Sequence, residues 1–209
     1  MSTEILVNAS THEARAAVVE NGVLQEVFLE RISRRGLISN IYKGRVSRVL
    51  PGMQAAFIEI GMERTAFLHA SDIFDPRHAG TGIEPPRTEN IRALVAEGNE
   101  ILVQVVKDPL GTKGARLTTY ITLPSRYLVY MPKGHGVGVS ARIENEGERD
   151  RLRTTVQAGI EPDENAGFIV RTAAEDAPTE ALRADMVYLR KLWEFVRQRG
   201  LRKDRKSVV

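Results

Sequence analysis

Five short segments of strand-like composition between residues 37 and 123 constrain the fold more than any other feature of the chain. Turn-forming residues separate them, beginning with Pro51-Gly52 and Gly61-Met62. Many short strands at close spacing are typical of a small barrel. We therefore predict an antiparallel five-stranded β-barrel as the central module, with strands at residues 41–49, 54–58, 65–69, 101–107 and 115–123.

The connection between the third and fourth predicted strands, residues 75–98, is longer than compact domains usually contain. It is rich in glycine and proline, which predicts an inserted loop. One short helix is predicted within it, at residues 91–97.

The flanks of the barrel complete an α+β chain with three predicted domains, at residues 1–36, 37–123 and 124–209. Before the barrel, an apolar strand at residues 5–7 precedes two strand-like runs. Asn21-Gly22 joins these runs as a hairpin, because both residues tolerate positive φ. Three strands without a helix bury too little surface to fold alone. We therefore expect residues 1–36 to need a packing partner.

After the barrel, strand and helix patterns alternate. Strands are predicted at residues 127–131 and 167–172, with a glycine-rich loop at 134–138 between them. Residues 148–157 have helix-like composition. A longer helix is predicted at 179–199, since an apolar stripe recurs there at three- and four-residue spacing: Leu182, Met186, Leu189, Leu192, Trp193 and Val196.

Composition narrows the possible functions. The chain has no cysteine, which excludes disulfides, thiolate zinc sites and a cysteine nucleophile. Its four histidines are scattered without metal-ligand spacing. We recognise no signal peptide, and the apolar runs are too short to span a bilayer, so we expect a soluble, cytoplasmic protein without membrane contact. The formal net charge is only +3, so a nucleic-acid surface must concentrate its positive charge locally.

Aromatic and basic residues of the barrel segment form the first candidate site. Period-two alternation predicts that Phe57 faces outward if Ile58 and Ile60 fill the barrel, and Phe67 alternates with Leu68 in the same way. An outward aromatic pair can stack unpaired bases. The predicted RNA-binding residues are Lys43, Arg45, Phe57, Phe67, Lys107 and Lys113, with Arg116 as a further cation. The alternative interpretation is that both phenylalanines are core residues and the lysines are solvated surface.

Residues 40–122 resemble the S1 RNA-binding domain, which is an OB-type barrel. The matching positions are Gly44-Arg45-Val46, Ala56-Phe57-Ile58 after Gly52, and Ala66-Phe67-Leu68-His69 after Gly61. The longer strings NIYKGRV (40–46), PGMQAAF (51–57) and VVKDPLGTKGARLTT (105–119) are similar to the ribonuclease E/G family, and more so to its ribonuclease G branch. The likeness runs from residue 5 to the neighbourhood of residue 195 and is weakest over 77–98.

The resemblance implies roles for the flanking segments. In this family the S1 barrel is inserted into an RNase H-like subdomain, whose first strands would be residues 1–36. A 5′ sensor, which recognises a monophosphate at the RNA 5′ end, follows the barrel. Its matching positions are Val129, Gly138, Arg142, Arg171 and Thr172. Guanidinium and hydroxyl groups suit a phosphate, although Arg142 has the alternative of pairing with Glu144 or Glu146.

The resemblance also implies a Mg²⁺-dependent endoribonuclease that acts in rRNA processing and mRNA decay. The family's metal-binding aspartates lie in a downstream domain, so we expect no catalytic or metal-binding residue and no bound cofactor in this chain. It would bind single-stranded RNA with a 5′-monophosphate without cutting it, as part of a full-length homodimer. A different possibility is a non-catalytic S1 adaptor that docks protein partners through the helix at 179–199.

Overall fold

The structure is a computed structural model that describes residues 2–31, 36–74, 90–161, 164–202 and 207–208. The chain separates into two compact units, Met1–Leu37 and Ile38–Val209. The second unit contains both the barrel and the segment that follows it. The division of this unit at residue 123 stays a prediction.

The first unit is a three-stranded antiparallel sheet of β1 (Thr3–Ala9), β2 (Glu13–Glu20) and β3 (Val23–Arg31). The predicted hairpin is confirmed, since Asn21 and Gly22 have φ values of 49° and 79° between β2 and β3. Large apolar side chains of this sheet are exposed, with 62% of Val27 and 56% of Phe28 accessible to solvent. A sheet of this size buries little apolar surface by itself.

The barrel has five strands, and its closure is mixed rather than antiparallel. The strands are β4 (Ile41–Leu50), β5 (Ala55–Glu59), β6 (Ala66–His69), β7 (Glu100–Lys107) and β8 (Arg116–Thr118). Their order is β4-β5-β6-β8-β7, and β7 closes on β4. The prediction of an antiparallel barrel is wrong, because β8 runs parallel to β6, with Phe67 paired to Arg116. Alternating sequence patterns locate strands but do not specify which strands become neighbours.

The long connection between β6 and β7 contains a single helical turn, α1 (Ile91–Leu94). It ends earlier than the predicted helix at 91–97, because Val95 is extended and Gly98 has a φ of 88°. Most of the predicted inserted loop, residues 75–89, lies outside the described residues.

The barrel interior is filled by buried side chains that alternate along the strands, among them Tyr42, Ile58, Leu68 and Leu117. A polar exception is Gln104 on β7, which is 5% exposed. Its amide donates to the carbonyl oxygens of Ser39 (3.1 Å) and Thr122 (2.9 Å), and its oxygen accepts from the Thr122 backbone N–H (2.9 Å). Because its hydrogen bonds are made, its burial costs little.

A four-stranded sheet follows, built from β9 (Leu123–Pro124), β10 (Leu128–Met131), β11 (Gly136–Val139) and β12 (Gly167–Val170). Its order is β11-β12-β10-β9, with β11 parallel to β12. The strands predicted at 127–131 and 167–172 are confirmed in position. β11 overlaps the predicted glycine-rich loop at 134–138, which was not predicted as a strand because glycine is depleted in strands and carries no alternating pattern.

Two helices cover one face of this sheet, α2 (Glu146–Ala158) and α3 (Thr179–Arg202). α2 begins before the predicted residue 148 because the Asn145 side chain accepts from the Glu148 backbone N–H at 3.1 Å, which caps the helix. The apolar stripe of α3 packs against the sheet within the chain's own core; its buried members are Leu182, Met186, Leu189 and Val196. A two-residue strand, β13 (Ser207–Val208), pairs with β4.

An ion pair lies at the edge of this core. The Arg190 Nη2 and Glu164 Oε2 atoms are 2.5 Å apart, and the two side chains are 24% and 10% exposed. Burial and the neighbouring Glu164 raise the pKa of Tyr130 to about 12.

Within the described parts of the chain, no helix is long and apolar enough to cross a membrane.

Candidate nucleic-acid interface

An aromatic pair stands on the outer face of the barrel. Phe57 on β5 and Phe67 on β6 are direct cross-strand partners. Their rings meet edge to face, with centroids 6.4 Å apart and an interplanar angle of 67°. Ile58 and Leu68, the following residues on each strand, are fully buried. The two phenylalanines therefore point away from the barrel interior and are half-buried, as the alternation predicts.

The pair lies in an open groove of about 1060 Å³, between the β4–β5 turn and the long loop that joins β7 to β8. Lys107 and Lys113 line this groove, and neither forms a salt bridge with any residue that the structure describes. Two acidic residues, Glu63 and Asp108, also line it. Four of the six predicted RNA-binding residues thus come together: Phe57, Phe67, Lys107 and Lys113.

The loop that carries Lys113 is held close to β6. The Arg64 guanidinium donates to the carbonyl oxygen of Gly111. A Cβ atom at Gly114 would overlap the carbonyl oxygen of Thr65, so only glycine allows this approach. Backbone hydrogen bonds between Leu110 and Lys113, of 3.2 and 3.0 Å, close the tip of the loop. Lys113 is therefore presented on a braced turn.

The two other predicted RNA-binding residues lie outside the groove. The Lys43 ammonium is 3.0 Å from Glu100 Oε2, and Lys43 lines a different depression beside Phe74 and Lys133. Arg45 is exposed on β4, opposite Glu59 in the strand register. The further cation, Arg116, borders the groove, but its charge is compensated by Asp72 at 2.9 Å.

Several groove residues were not predicted, among them Met53, Arg64 and Leu110. Leu110 is 81% exposed and Met53 is 59% exposed, so both add accessible apolar surface to the groove beside the aromatic pair. Neither sits in an alternating pattern, since both belong to turns. The signal that could have identified them is their position next to turn glycines in loops that flank the aromatic pair.

The second candidate site lies on the open face of the four-stranded sheet. Val129, Ile169 and Gly138 form one row across β10, β12 and β11. Their neighbours Leu128, Phe168 and Val170 point to the buried face. A Cβ atom at Gly138 would have ordinary contact with Ile169 Cγ1 at 3.7 Å, so the fold does not require glycine there. Its missing side chain leaves the backbone of β11 accessible.

Polar groups gather at the end of this row. The hydroxyls of Thr172 and Ser140 are 3.1 Å apart, and the Arg142 backbone N–H donates to the Ser140 hydroxyl at 3.4 Å. Ser140 was not predicted. The Arg171 backbone N–H donates to the Tyr127 carbonyl oxygen at 2.8 Å, and its guanidinium donates to the Ser125 carbonyl oxygen.

Neither arginine of this second site has a carboxylate partner among the described residues. Neither alternative pairing of Arg142, with Glu144 or with Glu146, is formed among the described residues, and Glu146 lies 3.7 Å from Arg149. Two exposed, uncompensated guanidinium groups on neighbouring loops form an environment suited to an anion. No cluster of three or more potential metal ligands occurs in the described ranges.

A paired aromatic surface beside lysines is the chemistry of a site for single-stranded nucleic acid. Comparison with known proteins gives the family of the chain. The Ribonuclease E/G family model matches residues 122–209. Ribonuclease G of Salmonella typhimurium is 54% identical over 204 residues, covering 97% of this chain and 41% of the relative.

Ribonuclease G of Haemophilus influenzae is 52% identical over 210 residues, covering 100% of this chain and 42% of the relative. Ribonuclease E of Nostoc sp. is 42% identical over 199 residues, covering 95% and 27% respectively. The chain belongs to the ribonuclease E/G family and is more similar to these ribonuclease G sequences than to the ribonuclease E sequence. It spans 41% to 42% of the length of the ribonuclease G relatives.

Proposed function

We propose that this chain holds single-stranded RNA in the barrel groove and recognises a 5′-monophosphate on the open sheet face, within a ribonuclease of the E/G family that acts in rRNA processing and mRNA decay. The observation that carries the proposal is the outward Phe57–Phe67 pair beside Lys107 and Lys113. Stacking on aromatic rings contributes about 1–3 kcal/mol per base and tolerates any base sequence.

The strand order supports the assignment of the barrel as an S1-type OB fold. OB folds are five-stranded Greek-key barrels that bind oligonucleotides on the second and third strands and on the loops 1–2 and 4–5. The corresponding parts here are β5, β6, the β4–β5 turn with Met53, and the β7–β8 loop with Lys113. All four line the same groove.

The open sheet face supports the 5′-phosphate proposal. Arg171 offers a planar pair of donors to two phosphate oxygens, and the Thr172 hydroxyl offers another hydrogen bond. Gly138 lets a ligand approach the backbone, and Val129 forms an apolar floor in the same row. A triphosphate would bring more bulk and more negative charge to these donors than a monophosphate does.

The hydrolytic step is not assigned to the described residues. Mg²⁺ takes carboxylate ligands and usually several waters, and the described parts of the chain hold no carboxylate cluster that fits it. We therefore propose that this chain binds RNA and that metal-assisted cleavage depends on the remainder of a longer protein, which we propose is dimeric. Residues 1–36 would be the first strands of its RNase H-like subdomain.

The adaptor alternative depends on the apolar stripe of α3 as a docking surface. That stripe is covered by the chain's own sheet, with Leu182 and Leu189 fully buried. The structure therefore gives the adaptor no particular support, and RNA binding remains the function that the surfaces favour.

The proposal is tested by fluorescence anisotropy with a short unstructured RNA that carries a 5′-monophosphate. Phe57→Ala is expected to weaken binding by about 1–3 kcal/mol, or roughly five- to 150-fold. Phe195→Ala is the matched control, since Phe195 is 53% exposed on α3 and is not one of the residues that line the groove. Equal affinities of the wild type and Phe57→Ala would contradict the groove. RNA cleavage by this chain with added Mg²⁺ would contradict the division between binding and cutting.

A further inference from the structure

We infer that Asp185 on α3 is a positioning residue for phosphate recognition, because it anchors the turn that orients Arg171. The inference rests on the proposed 5′-phosphate site and extends it to a residue on the opposite side of the sheet. Asp185 does not touch Arg171 in any hydrogen bond or ion pair of the described residues. It acts through the segment between β9 and β10.

The Asp185 carboxylate is bound by three donors from that segment. Its Oδ2 atom accepts from the Ser125 hydroxyl at 2.6 Å, from the Tyr127 backbone N–H at 3.0 Å and from the Leu128 backbone N–H at 3.1 Å. The Ser125 hydroxyl also lies 2.9 Å from the Leu128 carbonyl oxygen. A hydroxyl has one proton, and the shorter bond to a charged acceptor is the stronger one. The carboxylate therefore fixes both ends of the turn.

The same turn supplies both acceptors for Arg171. The Arg171 backbone N–H donates to the Tyr127 carbonyl oxygen at 2.8 Å. Its guanidinium Nη1 donates to the Ser125 carbonyl oxygen. Asp185 therefore accepts hydrogen bonds from the Ser125 hydroxyl and the Tyr127 N–H. Arg171 donates to the carbonyl oxygens of the same two residues. Rotation or fraying of the turn would move both contacts of Arg171 together.

This arrangement orients the guanidinium without neutralising it. One nitrogen of the fork is held by a carbonyl oxygen, and no carboxylate pairs with Arg171 in the described residues. The guanidinium keeps its positive charge, and its remaining N–H donors keep a defined direction. Direct pairing of Asp185 with Arg171 would have held the side chain equally well but would have cancelled the charge that a phosphate requires.

The test compares affinities for one short RNA with a 5′-monophosphate and with a 5′-hydroxyl, using wild type, Asp185→Asn and Arg171→Ala. The preference is the ratio of the two Kd values. Asp185→Asn keeps the size of the side chain but replaces a charged acceptor with a neutral one, so we expect the preference to fall about fivefold to tenfold. Binding of the 5′-hydroxyl RNA, which uses the barrel groove, stays within twofold. Glu194→Gln is the matched control on the same helix, because among the described residues Glu194 pairs only with Arg197 and Gln198 of α3.

A double variant separates positioning from general loss of structure. If Asp185 acts through Arg171, adding Asp185→Asn to Arg171→Ala changes the preference no further, since coupled residues are not additive. An unchanged preference in Asp185→Asn, an equal loss for both RNAs, or additive effects in the double variant would each overturn the inference. If the wild type itself shows no preference, the proposed 5′-phosphate site fails and the inference fails with it. A wild-type preference that Asp185→Asn retains refutes the inference alone.

Discussion

The barrel and the four-stranded sheet each present an outer face, but the two faces offer different chemistry. The barrel face carries the Phe57–Phe67 pair with lysines at its margin. The sheet face carries a row of Val129, Ile169 and Gly138, with hydroxyl and guanidinium groups at its end. The first surface suits flat bases on a flexible backbone, and the second suits a compact anion.

The interiors beneath these faces differ as well. The barrel closes around apolar side chains and the fully hydrogen-bonded Gln104. The sheet packs against α2 and α3 and includes the Glu164–Arg190 pair beside Tyr130. A closed barrel tolerates little change in shape, whereas the sheet depends in addition on matched charges. The comparison predicts different responses to substitution.

The largest expected effect separates two glycines, one from each region. Gly114→Ala forces a methyl group into the Thr65 backbone and is expected to lower the free energy of unfolding by more than about 3 kcal/mol. Gly138→Ala meets only an ordinary contact and is expected to change it by less than about 0.5 kcal/mol. Urea unfolding measures both. Equal stability of the two variants would remove the steric contrast between barrel and sheet.

A smaller effect is expected from the charged edge of the sheet core. Arg190→Met leaves Glu164 without its partner, and because the pair is partly solvated we expect a loss of about 2 kcal/mol. Arg197→Met is the control, since the Arg197–Glu194 pair is exposed and contributes about 0–1 kcal/mol. Thermal unfolding of both variants measures the difference. A loss of stability in Arg190→Met as small as that in Arg197→Met would show that the Arg190–Glu164 pair does not stabilise the fold.

The same pair has a pH signature. Burial by itself would raise the pKa of Glu164, but the hydrogen bonds from Arg190, the Glu161 backbone and Tyr130, together with the charge of Arg190, outweigh it and hold the pKa below the ordinary value of 4.5. The stability contributed by this carboxylate is therefore present above pH 4.5 and is lost as the pH falls through the lower pKa of the folded state. Unfolding midpoints of the wild type and Arg190→Met, measured between about pH 3 and pH 6, should differ at the upper end of this range and converge at the lower end.

The smallest expected effect concerns salt. Lys113→Ala removes one charge from the proposed backbone track, so the slope of log Kd against log salt for a 5′-hydroxyl RNA should change by about 0.7. Arg171→Ala should leave that slope unchanged, because its proposed partner is absent from this RNA. Titration of binding against salt concentration gives both slopes. A reduced slope in Arg171→Ala would mean that the two surfaces share one RNA backbone track.

Local pattern predicted much of this architecture. The Asn21-Gly22 hairpin, the five barrel strands and the outward direction of Phe57 follow from residues that are close in sequence. β11 escaped prediction because its glycines carry no alternating pattern. Lys43 was placed with the RNA-binding residues on charge alone, but it lies beside Glu100 and away from the groove.

The sequence by itself indicated the family, through the resemblance of its motif strings, and it located most of the strands and the residue types that bind RNA in the proposal, because strand patterns depend on short-range periodicity. Only the tertiary structure decided that β8 returns parallel to β6, that Arg64 braces the loop of Lys113, and that Asp185 supports the turn holding Arg171. These contacts join residues 46 to 60 positions apart in several cases. Contacts between residues so far apart in sequence depend on how the whole chain packs, and no local sequence pattern indicates them.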